Sequence, residues 1–191
     1  MQIDPTSLCH SLHHLVRYFT LVMTIDQLNH LLKDQLKTEL TKCCGSSAWV
    51  NEMIEAFPIK HFGELLSIAE QKWNQCTEAD WLEAFEHHPK IGDINSLKEK
   101  FANTAKWAEG EQAAVQQTSL DVIEDLAEGN AAYEAKFGYI FIVCATGKSG
   151  EEMLSILQSR LPNEPEEEIK IAAAEQGEIT AIRLRKLVNN E

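Results

Sequence analysis

At 191 residues, 44% of them apolar, the chain is long enough for one domain around a single core. Nine glycines and five prolines are few for that length, which favours long helices over a turn-rich β fold. A formal charge of -13 with no offsetting basic block argues against a nucleic-acid or anionic-membrane partner, so an anionic substrate needs a local cationic pocket.

Residues 1–22 read as an amphipathic N-terminal extension. Leu8, Leu12, Leu15, Val16 and Phe19 recur at helical spacing, but His10, His13, His14 and an arginine interrupt the run, so it suits neither a signal peptide nor a membrane span. The three histidines would share a helix face, which is compatible with a metal, yet no acidic or cysteine partner accompanies them and no metal is assigned. Five cysteines, Cys9, Cys43, Cys44, Cys76 and Cys144, form neither a CxxC pair nor an even framework, so a reduced, cytoplasmic compartment is the simpler inference. The adjacent Cys43 and Cys44 read as helix-end packing rather than redox chemistry.

A second start is marked at Met23. Thr24 is placed to cap a helix carrying Ile25, Leu28, Leu32, Leu36 and Leu40. Ser46 or Ser47 caps a segment running to Phe57, and Phe62, Leu65, Leu66, Ala69 and Trp73 stripe the next. Thr77-Glu78-Ala79-Asp80 resembles a capping box, after which Trp81, Leu82 and Phe85 supply a buried face. This helix leads into His87-His88-Pro89-Lys90-Ile91-Gly92-Asp93. A proline disfavours the α conformation for the residue before it, so His88 belongs at the helix exit, held in direction yet able to reach a ligand.

Asp93 or Asn95 can cap a further segment, and Trp107-Ala108-Glu109-Gly110-Glu111-Gln112 opens another helical region. Ser119 starts a long helix with Leu120, Ile123, Leu126, Ala127 and Tyr133, ended by Gly138 as a left-handed cap. Tyr139-Ile140-Phe141-Ile142-Val143-Cys144-Ala145 is β-branched and aromatic, and reads as a buried helix or an extended core segment. Thr146-Gly147-Lys148-Ser149 is not a phosphate loop, because Ile142 stands where the motif requires a glycine. Ser149 with Glu152 caps the next helix, and Asn163 with Glu166 caps the last, whose inner side carries Ile169, Ala172, Ala173, Ile179, Ile182 and Leu187 beside Arg183. The expected fold is all-α, a single-domain multi-helix bundle over residues 23–191.

Three features stand out as candidates for chemistry: His88 at a helix exit, Glu111-Gln112 in an Ala-rich stretch, and Arg183 between Ile182 and Leu184. Each has a plain alternative. A helix stop, a solvated glutamate and a dipole-satisfying arginine need no active site.

Taken together and in order, the motifs resemble a known family. His88-Pro89-Lys90-Ile91-Gly92-Asp93, then Trp107 through Gln112, then Asn130-x-x-Tyr133-x-x-Lys136-Phe137-Gly138 running into Phe141-Ile142-Val143-Cys144-Ala145, and last Ile182-Arg183-Leu184 look like those of the OHCU decarboxylases. These enzymes act on 2-oxo-4-hydroxy-4-carboxy-5-ureidoimidazoline in urate breakdown. The likeness begins near residue 23. It implies a helical, cofactor-free, metal-free homodimer that makes (S)-allantoin from a small ureide. By resemblance His88 is the acid/base with Glu111 and Arg183 as its partners. Pro89, Gln112, Phe141, Ile142, Val143, Cys144 and Ala145 are implied to contact substrate. One departure is Ala108, where the family often has Ser, and the missing hydroxyl removes a hydrogen bond of about 0.5–1.5 kcal/mol.

The residue types suit that reaction. Loss of carbon dioxide leaves electron density that can delocalise onto a ring nitrogen, so the protein has to add orientation and one proton. An arginine can grip the anionic or ureido end with forked hydrogen bonds. Glu111 can hold the His88 proton, orient the substrate hydroxyl, or oppose the departing carboxylate, the last at ~4 kcal/mol for charges ~4 Å apart at an effective dielectric near 20. These roles stay open at this point. A non-catalytic helical module that binds an allantoin-like ureide is the rival reading.

Overall fold

A computed structural model describes residues 22–88 and 120–188. The expected features at residues 1–21, Pro89, the helix from Asp93 or Asn95, and Trp107, Ala108, Glu111 and Gln112 lie outside these residues. Among the described residues there are eight helices: α1 Ile25–Asn29, α2 Lys33–Cys43, α3 Ser47–Glu55, α4 Phe62–Asn74, α5 Glu78–Glu86, α6 Leu120–Phe137, α7 Gly150–Arg160 and α8 Pro165–Leu187. The all-α expectation holds for them, with a single isolated parallel bridge between Met23 and Val188. Among them, no helix is long and apolar enough to cross a membrane.

The N-terminal helices follow the caps read from sequence, with one difference. Thr24 closes a capping box with Gln27, but the expected single helix from Ile25 to Leu40 is broken at residues 30–32. At the break, Asn29 Nδ2 donates to the Ile59 carbonyl at 2.7 Å and its Oδ1 accepts from Ile59 N at 2.8 Å. A five-residue helix has little stability of its own. The full burial of Leu28, roughly 1.5–3 kcal/mol, and this amide clamp hold α1 in place.

Ser46 rather than Ser47 caps α3, which stops at Glu55, short of Phe57. Two tryptophans tie the layers together through their ring N–H groups: Trp49 donates to the Ala69 carbonyl at 3.0 Å and Trp73 to the Ala173 carbonyl at 2.8 Å. At the start of α5, Asp80 accepts from both Thr77 N and Thr77 Oγ1, at 2.8 and 2.7 Å. Phe85 is buried, with Trp81 and Leu82 packed at the edge of the core.

In the second half, α6 and α7 pair and enclose a smaller apolar cluster around Ile123, Leu126, Tyr133, Val143, Met153 and Leu157. Gly138 ends α6 with φ 80°, the left-handed value expected of it. Residues 139–145 then run without helix or strand, so the extended alternative holds, and Ile142 and Val143 are buried. Ser149 and Glu152 form the expected capping box on α7.

The last helix departs from expectation at its start and along its inner face. Asn163 does not cap it; Glu164 occupies that position, Pro165 opens the helix, and Asn163 Nδ2 donates to Glu168 Oε2 at 2.7 Å. The buried face of α8 includes Glu168, Gln176 and Thr180, while Ile179 and Ile182 are only partly covered. Glu168 is matched by Arg160, whose Nη2 lies 2.6 Å from Glu168 Oε1, and Tyr133 donates its hydroxyl to the same carboxylate. Burial and that carboxylate push the Tyr133 phenol well above its usual range. Because α8 touches α2, α4 and α5 at once, it is the post on which the site is assembled.

Candidate active site at the inner face of the last helix

The site starts at the exit of α5. His87 caps the helix, and the backbone N–H of His88 still donates to the Phe85 carbonyl at 3.1 Å. That last turn directs the half-buried His88 ring at α8, where its Nε2 lies 2.5 Å from Gln176 Oε1. Gln176 is fully buried, and its amide nitrogen donates to Thr180 Oγ1 at 3.1 Å.

Further along α8 comes Arg183. The register 176, 180, 183 keeps one face, and seven residues of helix rise about 10 Å. Arg183 is partly buried and donates from Nη1 to the Cys43 carbonyl at 3.2 Å. That carbonyl ends α2, where the helix dipole favours a cation. The guanidinium is therefore held by the protein while staying partly open.

Cys43 and Cys44 lie beside it, both buried. Burial pushes their thiols up to about 12 and about 11, which outweighs the opposing pull of Arg183. Packing at the helix end, as expected from sequence, describes them.

Segment 141–145 meets α8 one residue before Gln176. Cys144 N donates to Glu175 Oε2 at 2.6 Å, and the Cys144 carbonyl accepts from Lys148 Nζ at 2.6 Å. The Ile142 carbonyl accepts from Arg160 Nη1 at 2.8 Å, and the Phe141 ring centroid lies 4.8 Å from the Arg160 guanidinium carbon. Val143 is buried, and Ala145 is half-buried at the turn that follows. Consecutive residues of α8 thus hold the histidine exit and the extended segment.

Among the residues named from sequence, His88 meets α8 at Gln176 and Cys144 meets it at Glu175, while Arg183 lies seven residues beyond Gln176 on the same helix. Pro89, Glu111 and Gln112 lie outside the described residues. Sequence reasoning missed Glu175, Gln176 and Thr180. A signal existed for two of them: Gln176 and Thr180 fall at helical spacing from Ala172, Ala173 and Leu184, so they are polar residues inside an apolar stripe. Among the described residues no group of three or more His, Cys, Asp or Glu side chains could hold a metal ion.

Comparison with known proteins agrees with these motifs. Residues 29–185 match the OHCU decarboxylase family. The uric acid degradation bifunctional protein TTL of Arabidopsis thaliana is 38% identical over 149 residues, covering 78% of this chain and 46% of that protein. The 2-oxo-4-hydroxy-4-carboxy-5-ureidoimidazoline decarboxylase of Xenopus laevis is 36% identical over 104 residues, 54% of this chain and 59% of that one. The chain thus spans about half the length of these curated relatives. A solved OHCU decarboxylase, crystallised in the presence of (S)-allantoin, superposes with a TM-score of 0.63 at 38% identity over 80% of this chain and 98% of that one. A solved (S)-allantoin synthase shares the fold alone, with a TM-score of 0.66 at 17% identity over 87% of this chain and 55% of that one. With four-fifths of its length matched to the family, the chain belongs to the OHCU decarboxylases.

Proposed function

We propose that this protein is a cofactor-independent carboxy-lyase that converts 2-oxo-4-hydroxy-4-carboxy-5-ureidoimidazoline into (S)-allantoin in urate degradation. The observation that carries the reading is the pairing of His88 with buried Gln176, with Arg183 two turns away on the same face of α8. Family membership and the names of the relatives support it.

In this reading Arg183 grips the anionic or ureido end of the substrate, and Pro89, Gln112 and residues 141–145 line the remainder. The bond from the ring carbon to the carboxylate breaks, carbon dioxide leaves, and the electron pair spreads onto the neighbouring ring nitrogen. His88 then delivers a proton to one face of that carbon, which sets the handedness of the product. Glu111 is the third member of the site, acting on the substrate hydroxyl, the His88 proton or the departing carboxylate.

Residues 23–191 form the functional unit in this proposal, because Met23 N donates to the Leu187 carbonyl at 2.9 Å and anchors the start of that unit to the end of α8. Removal of residues 1–22 should leave folding and turnover intact. The protein acts as a cytoplasmic homodimer on a small molecule, with no nucleic-acid or membrane partner, and light scattering of the purified protein tests the dimer.

The deciding experiment supplies freshly generated substrate and follows optical activity. Formation of (S)-allantoin faster than the spontaneous racemic product is the expected result. Racemic product at the spontaneous rate would overturn the proposal, and ligand binding without turnover would point instead to a binding module.

A further inference from the structure

Gln176 is a fully buried amide in an apolar stripe, and its two ends face different partners. Oε1 lies 2.5 Å from His88 Nε2, and Nε2 lies 3.1 Å from Thr180 Oγ1. Thr180 donates its hydroxyl proton to the main-chain carbonyl of Gln176 at 2.9 Å. A hydroxyl has one proton to give, so Thr180 Oγ1 can only accept from the amide. The amide nitrogen must therefore face Thr180, and the amide oxygen must face His88.

Another claimant on the Thr180 hydroxyl would be a thiolate at Cys44, whose side chain feels that hydroxyl. Burial keeps Cys44 a neutral thiol, so it makes no demand for the hydroxyl proton at physiological pH. The chain of donors then runs one way: His88 to Gln176, Gln176 to Thr180, Thr180 to the helix backbone. Bonds arranged head to tail in this way polarise one another.

We infer that Gln176 and Thr180 are positioning residues that hold His88 in its Nε2–H tautomer, making Nδ1 the atom at which the ring gains and loses its proton. An amide oxygen only accepts, so the nitrogen opposite it must carry hydrogen in the neutral ring as well as in the imidazolium. Protonation adds hydrogen at Nδ1 and strengthens the Nε2–H bond to Gln176 without turning the ring. In turnover, the proton delivered to the carbon that lost carbon dioxide leaves Nδ1, the ring returns to neutral Nε2–H, and a proton taken up from solvent restores the imidazolium. That catalytic half rests on the decarboxylase reading; the tautomer does not.

Long-range nitrogen–proton NMR of the uniformly labelled protein separates the two. Neutral His88 should show a pyrrole-type Nε2 and a pyridine-type Nδ1. Thr180→Val keeps the side-chain shape, frees the amide to turn, and should give a tautomer mixture with kcat lowered about ten- to a hundredfold, part of what general acid–base catalysis contributes, while KM stays within about twofold. Gln176→Leu should do the same, and Gln176→Glu, which restores an acceptor, should recover most of the loss. An Nδ1–H tautomer in the wild-type protein, or a tautomer that Thr180→Val leaves unchanged, overturns the inference even if optically active allantoin forms. The stated tautomer in a protein that makes no allantoin supports the positioning and defeats only the proposed activity.

Discussion

His87 lies directly over the α-carbon of Gly45. A methyl group at Gly45 would meet His87 Cγ at 2.3 Å, its Cβ at 2.5 Å and its Nδ1 at 2.5 Å. The turn after α2 and the exit of α5 are therefore in contact at a point with no room for a side chain, and His88 is the next residue along. His87 Nδ1 also contacts the Glu83 carbonyl at 3.0 Å, which ties the ring to its own helix.

Gly45→Ala should accordingly cost about 1–3 kcal/mol through overpacking, visible as a Tm drop of several degrees, and turnover should fall as the α5 exit shifts. Adding His87→Gly removes all three clashing atoms. The double variant should be more stable than the sum of the single effects implies, and thermal melts of the four proteins check this coupling.

His88→Ala should lower kcat by roughly a hundredfold or more, the range assigned to a positioned acid or base, and the residual product should lose its handedness. Near-wild-type turnover with unchanged stereochemistry would remove the histidine from the mechanism. Arg183→Gln should chiefly raise KM, by about ten- to a hundredfold for the loss of a charged hydrogen bond. An unaltered saturation curve would count against its grip on substrate.

Arg160→Met leaves the Glu168 carboxylate buried without its cation, which should destabilise the fold by about 3–5 kcal/mol. Replacing both residues by methionine should cost less than the two single changes added together. It should not return to wild type, because the Ile142 carbonyl and the Tyr133 hydroxyl also lose partners. Urea unfolding of the single and double variants measures the difference.

Folded Cys43 and Cys44 have thiol values raised from an ordinary 9.0 to about 12 and about 11. Folding favours the neutral thiol, so this contribution to stability is complete below pH 9.0 and is lost as pH rises through these folded values. Denaturant midpoints should fall across that alkaline range and be restored in part by Cys43→Ala/Cys44→Ala. At neutral pH, alkylation followed by mass spectrometry should leave both unmodified until the protein is unfolded.

By itself the sequence determined the helical class, most helix starts, the stop at Gly138 and the place of His88. Thr24, Ser46, Thr77 and Ser149 act within one turn of their own helix, and periodic apolar residues mark the buried face wherever it lies. The ordered motifs were enough to identify the family. Only tertiary structure decided the partner of Asn29, whose amide is taken by Ile59, and the fate of Asn163, which serves Glu168 instead of a helix end. The same holds for the pairing of His88 with Gln176 across 88 positions. Local rules reach about one helical turn, whereas a buried polar group must find its partner on whatever segment the packing brings beside it. Gln176 and Thr180 look like flaws in an apolar stripe until α5 is laid against α8, and then they are what orients the histidine.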